Sequence, residues 1–205
     1  MLLFGMNLLL RICVGTGILL VIVFTNGCIS VGTKNVVAEE GENIGEVKVG
    51  ETFLLQEDHY LINQNRGSTI RKDINDGSII NEYKFDDDHH PPLSLMNKSG
   101  ETLIETDRFD GKKVKYVFSE RKRTHYRSLY YYFFVDEIKS GTVIKVKKII
   151  SRVGWGPPIG FGSGSEVIGS AGKYDNVNIS NLFGHDPIKP VEHYLKKTSG
   201  DPDKN

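Results

Sequence analysis

Cysteine is missing from everything after residue 28: the two in the chain, Cys13 and Cys28, lie within or at the edge of its apolar N-terminal segment. A disulfide framework for the body is thereby excluded. Neither charge is in excess. Lys plus Arg and Asp plus Glu stand at 26 each in 205 residues, so the whole-chain field neither attracts nor repels polyanions and any charge preference is local. Long amphipathic helical patterns are absent too, with only Val191 to Lys197, after Pro190, reading as a short helix. Phosphate-loop spacing fails, because Gly172-Lys173 is followed by Tyr174 and Val167 occupies the position of the first glycine. Ser163 and Ser165 lack the flanking glycines of a nucleophile elbow.

What is present begins with an apolar stretch from Leu8 to Phe24, interrupted by Arg11. After that arginine the uninterrupted run, Ile12 to Phe24, matches a signal-peptide core and is short for a helix spanning about 30 Å of hydrocarbon. Thr25-Asn26-Gly27-Cys28 follows at once. This ending resembles the signal peptides of bacterial lipoproteins, which finish in a small-residue box immediately before a cysteine. The resemblance covers the first 28 residues, with Thr25 where the family prefers Leu. It implies cleavage before Cys28, which becomes the mature first residue and the lipid attachment site. Two or three acyl chains, at about 0.8 kcal/mol per buried methylene, hold a protein stably where one does not. The alternative is that residues 1–27 stay as a transmembrane helix; either way the body lies outside the cytoplasm or at a membrane face. Ile29 rather than Asp after the cysteine fits outer-membrane sorting in double-membrane bacteria, so the expected location is the cell membrane or the outer membrane.

Without residues 1–27, about 175 residues remain, the size of one compact domain. Residues 28–45 are polar and small and read as a lipidated N-terminus and flexible tether. From residue 46, apolar and β-branched runs recur: Val47 to Leu55, Ile79 to Phe85, Thr102 to Thr106, Val114 to Phe118, Leu129 to Val135 and Val143 to Ile150. Asp76-Gly77, Ser99-Gly100, Asp110-Gly111 and Ser140-Gly141 separate them as tight-turn dipeptides, which makes neighbouring strands antiparallel hairpins. Ile144 and Val146 alternate with Lys145 and Lys147, so one face packs and one is wet. Tyr130 to Val135 is apolar on both faces and reads as a central strand covered from both sides. Residues 154–172 carry too much Gly and Pro for a regular strand and read as a long loop or flap. The expected fold is mainly β, a single antiparallel β-sandwich or partly open barrel over residues 46–197, with a flexible tail at 198–205.

Three stretches offer chemistry. Asp86-Asp87-Asp88-His89-His90 concentrates oxygen and imidazole ligands before a diproline, making Asp86, Asp88, His89 and His90 candidate metal ligands; consecutive residues point apart, however, and a solvated acidic loop is the plainer reading. Arg121-Lys122-Arg123-Thr124-His125-Tyr126-Arg127 is basic with interleaved aromatics. In an exported protein Arg121, Lys122, Arg123 and Arg127 point to lipid phosphates or an anionic envelope polymer rather than nucleic acid, against an ordinary solvated hairpin end. Trp155 and Phe161 in the glycine-rich segment are candidate partner contacts, or side chains that fold back over a sheet edge. No spacing singles out a catalytic group. The reading is a membrane-anchored envelope lipoprotein, a non-catalytic binding or structural module for another protein or an envelope polymer, with no cofactor. The alternatives are a metal-dependent envelope hydrolase and a carrier of a small apolar ligand.

Overall fold

The computed structural model describes residues 33–85, 89–154, 165–185 and 187–198. The chain divides into two compact units, residues 35–152 with 163–205 and residues 1–34 with 153–162, and the second lies almost wholly outside the described residues. Short strands β1 (Thr33–Ala38), β2 (Asn43–Ile44), β3 (Val47–Lys48) and β4 (Thr52–Leu55) lead into the long β5 (His59–Asp73). There follow β6 (Ile79–Lys84), β7 (Leu93–Asn97), β8 (Thr102–Thr106), β9 (Val114–Lys122), β10 (Tyr126–Ile138) and β11 (Val143–Gly154). After β12 (Ser165–Ala171) and β13 (Tyr174–Asn178) come a 3-10 turn at Ser180–Leu182 and the short β14 (Phe183–His185), β15 (Ile188–Pro190) and β16 (Leu195–Lys197).

The body is mainly β, and no α-helix occurs among the described residues. One large sheet runs in the order β16-β4-β11-β12-β13-β7-β5-β10-β9-β8, with β6 attached to β5, and it does not close into a barrel. Strand β13 pairs with β7 in parallel, Val177 and Asn178 beside Leu93 and Ser94, whereas β5 with β10, β10 with β9 and β11 with β12 are antiparallel, so the sheet is mixed. Every expected strand region carries strand. The four turn glycines Gly77, Gly100, Gly111 and Gly141 all have positive φ, the conformation that makes glycine the residue of choice there.

Alternation locates the core. Ile144 and Val146 are fully buried while Lys145 and Lys147 are exposed. A register shift between Val146 and Lys148 then inserts a second exposed lysine and returns Ile149 to the interior. These residues join Phe53, Leu55, Leu61, Leu95, Val167, Val177, Leu182 and Leu195 in one apolar cluster. Each such side chain, removed from water, contributes about 1.5–3 kcal/mol. The cluster is drawn from β4, β11, β12, β13, β16, the first half of β5 and β7. Strands β8, β9, β10, β6 and the second half of β5 extend the sheet beyond it.

Four details differ from the sequence reading. Val191 to Lys197 is a turn followed by β16, whose backbone pairs with β4, because the sheet edge supplies partners that an isolated seven-residue helix lacks. Within 154–172, Ser165–Ala171 is the regular strand β12, with Val167 and Ile168 buried. The segment read as a tether carries β1 and β2, and Ala38 is 4% exposed. Strand β10 does lie inside the sheet, between β5 and β9, but its side chains from Tyr130 to Glu137 stay half-buried instead of covered.

Candidate functional site

The half-buried aromatic strand β10 gives the sheet extension two distinct faces. Residues paired directly across neighbouring strands share a face. On the face of Tyr130, one row runs from Asn81 on β6 through Arg71 on β5 and Ser128 on β10 to Arg121 on β9. The next row holds Tyr83, Thr69, Tyr130 and Ser119, and a third holds Gly67, Tyr132 and Val117. Small hydroxylic residues form the floor of this face: Thr69 is 1%, Ser128 3% and Ser119 6% exposed.

Long side chains stand around that floor. The rings of Tyr130 and Tyr132 stack, with their planes parallel within 3° and their centroids 5.9 Å apart, as two residues on one strand face allow. The Arg121 guanidinium lies 5.4 Å from the Tyr130 ring centre, and that of Arg71 lies 5.2 Å from Tyr126 and 5.8 Å from Tyr83. Cations so placed are attracted by the ring quadrupole. Neither arginine has a carboxylate within ion-pair distance among the described residues. Arg71 Nε, Thr69 Oγ1 and Glu101 Oε2 are buried without a hydrogen-bond partner, whereas Glu101 Oε1 accepts from Ser119 Oγ at 3.0 Å. Burial pushes the Glu101 carboxyl up from its ordinary value, and it pushes the Tyr132 hydroxyl up to about 12.

The opposite face is packed more closely from within the chain, although Ser68 Oγ and Arg127 Nε are buried there without a hydrogen-bond partner. Tyr131 packs between Phe109 and Phe118, and Phe133 meets Tyr116 edge-on with Arg66 3.9 Å over its ring. Tyr116 donates to Asp110 at 2.6 Å, and burial together with that bond pushes its hydroxyl up to about 12. Three cations here have partners: Arg127 pairs with Glu120 at 3.8 Å, Arg108 with Glu82 at 2.8 Å, and Lys84 donates to the Phe109 carbonyl at 3.1 Å. A cleft of about 170 Å³ beside Gly67, lined by Arg66, Lys84, Phe109 and Tyr116 among others, sits on this side. Elsewhere an open cavity of about 780 Å³ is lined by Glu51, Phe53, His193 and Lys197, with Glu51 and Lys197 paired to each other.

The basic run therefore does not act as one patch. Strand alternation sends Arg121 to the Tyr130 face and Lys122 and Arg127 to the other, while Arg123 sits in the turn, its N–H donating to the Tyr126 carbonyl. Arg71, which shares the face with Arg121, went unnoticed in the sequence because β5 was not read as a strand. His89 and His90 are exposed, and the His89 backbone is bracketed by Asn65, donating to its Oδ1 at 2.9 Å and accepting from its Nδ2 at 3.1 Å. Asp86 and Asp88 lie outside the described residues, as do Cys28, Trp155 and Phe161. Among the described residues no three His, Cys, Asp or Glu side chains come together as a metal site would require. No family model, no curated protein and no solved structure matches the chain.

Proposed function

We propose that this is a lipid-anchored envelope protein whose β-body is a non-catalytic module binding an anionic envelope polymer or another envelope protein, through the Tyr130 face. One observation carries the reading: two arginines with no carboxylate at ion-pair distance among the described residues flank a row of half-exposed tyrosines over a floor of buried hydroxyls. Guanidinium forks are suited to carboxylates and phosphates, and aromatic rings supply contact area at low entropic cost, which is the composition of a binding surface. The anchor rests on the apolar run Ile12 to Phe24 before Thr25-Asn26-Gly27-Cys28. With Cys28 lipidated, the body stands outside the cytoplasm at the cell membrane or outer membrane.

Recovery of partners from detergent-solubilised membranes tests the binding role. Arg71→Gln with Arg121→Gln should abolish recovery while leaving the melting temperature unchanged. Equal recovery with the double variant would refute the assignment of this face.

A further inference from the structure

We infer that the Tyr130 face is a site for a carboxylated polysaccharide, its sugar rings lying on Tyr83, Tyr130 and Tyr132 and its carboxylates held by Arg71 and Arg121. The inference rests on the proposed function and names its partner.

The spacing of charge comes from the sheet. Arg71 on β5 and Arg121 on β9 are separated by the single strand β10, which sets their backbones about 10 Å apart at the usual strand spacing. Both lie over tyrosine rings with no carboxylate at ion-pair distance among the described residues, Glu101 acting on Arg121 only through its charge, so each fork remains able to take a carboxylate in bidentate fashion. A chain carrying acidic groups at intervals suits this pair better than a single compact anion does.

The half-exposed, stacked Tyr130 and Tyr132 rings supply the second element, with Tyr83 across β5 adding a third ring. Their electron-rich faces attract the polarised C–H groups on the flat side of a sugar ring, and they do so without requiring one fixed hydroxyl pattern. A single-stranded nucleic acid would also stack and meet the arginines, but a body that stands outside the cytoplasm, as proposed, meets envelope polymers instead. An acidic peptide matches the arginines and offers no ring to the tyrosine platform.

The test uses the full-length protein in neutral detergent, titrated calorimetrically with polygalacturonate, neutral dextran, polyglutamate and a single-stranded oligonucleotide at low salt. Polygalacturonate should bind, while dextran, which lacks the charges, and polyglutamate, which lacks the sugar rings, should bind at least about tenfold more weakly. Arg121→Gln and Tyr130→Ser should each weaken polygalacturonate by about tenfold with the melting temperature retained, the first also flattening the salt dependence. Equal binding of polyglutamate or the oligonucleotide, or affinity unchanged in both variants, would overturn the inference. Absence of polygalacturonate binding while Arg71→Gln with Arg121→Gln still releases a partner from solubilised membranes would remove the polysaccharide and leave the binding module; loss of both results removes both.

Discussion

Gly67 sits where β5 crosses under Tyr131, with φ at +154°, and a Cβ there would lie 2.1 Å from the Tyr131 carbonyl oxygen and 2.8 Å from the Phe85 ring. Backbone cannot yield by that much cheaply. Gly67→Ala should therefore lower the unfolding free energy by about 1–3 kcal/mol, read as a reduced urea midpoint with an unchanged slope. His59 makes a different prediction. It is fully buried, its Nδ1 donates to the Glu57 carbonyl at 3.0 Å, and Nε2 has no partner. Desolvation holds its pKa below the ordinary value, against the Glu57 carbonyl bond and the Glu57 and Asp58 charges that favour protonation, with Lys98 opposing it. The unfolded chain thus binds a proton below about pH 6.5 that the folded chain refuses. Stability is undiminished above that pH and falls by up to about 1.4 kcal/mol per unit below it, until the folded-state pKa is reached. In His59→Leu the slope between about pH 5 and 6.5 should flatten, and a slope equal to that of the parent would mean another group carries it.

At the scale of elements, the β10–β11 turn is tied to the start of β5 and the end of β7 by charge. Ser140 N–H donates to Asp58 Oδ1 at 2.9 Å, Lys139 reaches Asp58 at 3.0 Å and Glu137 at 2.7 Å, and Lys98 pairs with Glu137 and lies 3.5 Å from Asp58. The Ser140 N–H first, then the Lys139 ammonium, hold the Asp58 carboxyl well below the usual range. A carboxylate lowered in this way stabilises the fold above its unfolded-state value and loses that contribution as pH falls through the folded one. Side-chain NMR titration of Lys139→Met should show Asp58 moving upward yet staying below an ordinary aspartate, because the Ser140 bond persists. An unmoved Asp58 would show that the amide acts alone. A similar fixture sits on β10 and β13: Tyr174 donates to Asp136 at 2.6 Å and, with the Glu137 N–H and Lys173, holds that carboxyl at about 2.

For the whole molecule, the decisive property is attachment. Intact-mass measurement of protein recovered from bacterial membranes should show loss of residues 1–27 and the added mass of acyl chains, both abolished in Cys28→Ala. An uncleaved, unmodified chain would mean retention of the apolar segment as the anchor. No helix among the described residues is long and apolar enough to cross a membrane.

Much of this architecture is written locally and some of it is not. Turn positions at Gly77, Gly100, Gly111 and Gly141 were readable because positive φ is a property of one residue. Strands such as β11 were readable because Ile144 and Val146 alternate with lysines. Strand β5 was not: His59 to Asp73 is polar and broken by Gly67, yet it pairs with β10 along its length, with β7 at one end and β6 at the other. Its place in the sheet follows from the backbone groups of three neighbours, and no pattern within its own residues records them. The candidate site divides in the same way. Residues 121–127 announced their charge, but which arginine faces which partner depends on strand registers set far away in the chain, and Arg71 joins Arg121 only across Ser128. The sequence by itself determined the turns, the strand-rich class and the apolar composition of the N-terminal segment, since each depends on neighbouring residues; the tertiary structure alone decided the mixed strand order and the Tyr130 face, since each needs a pairing between distant residues, Val177 with Leu93 and Ser128 with Arg71.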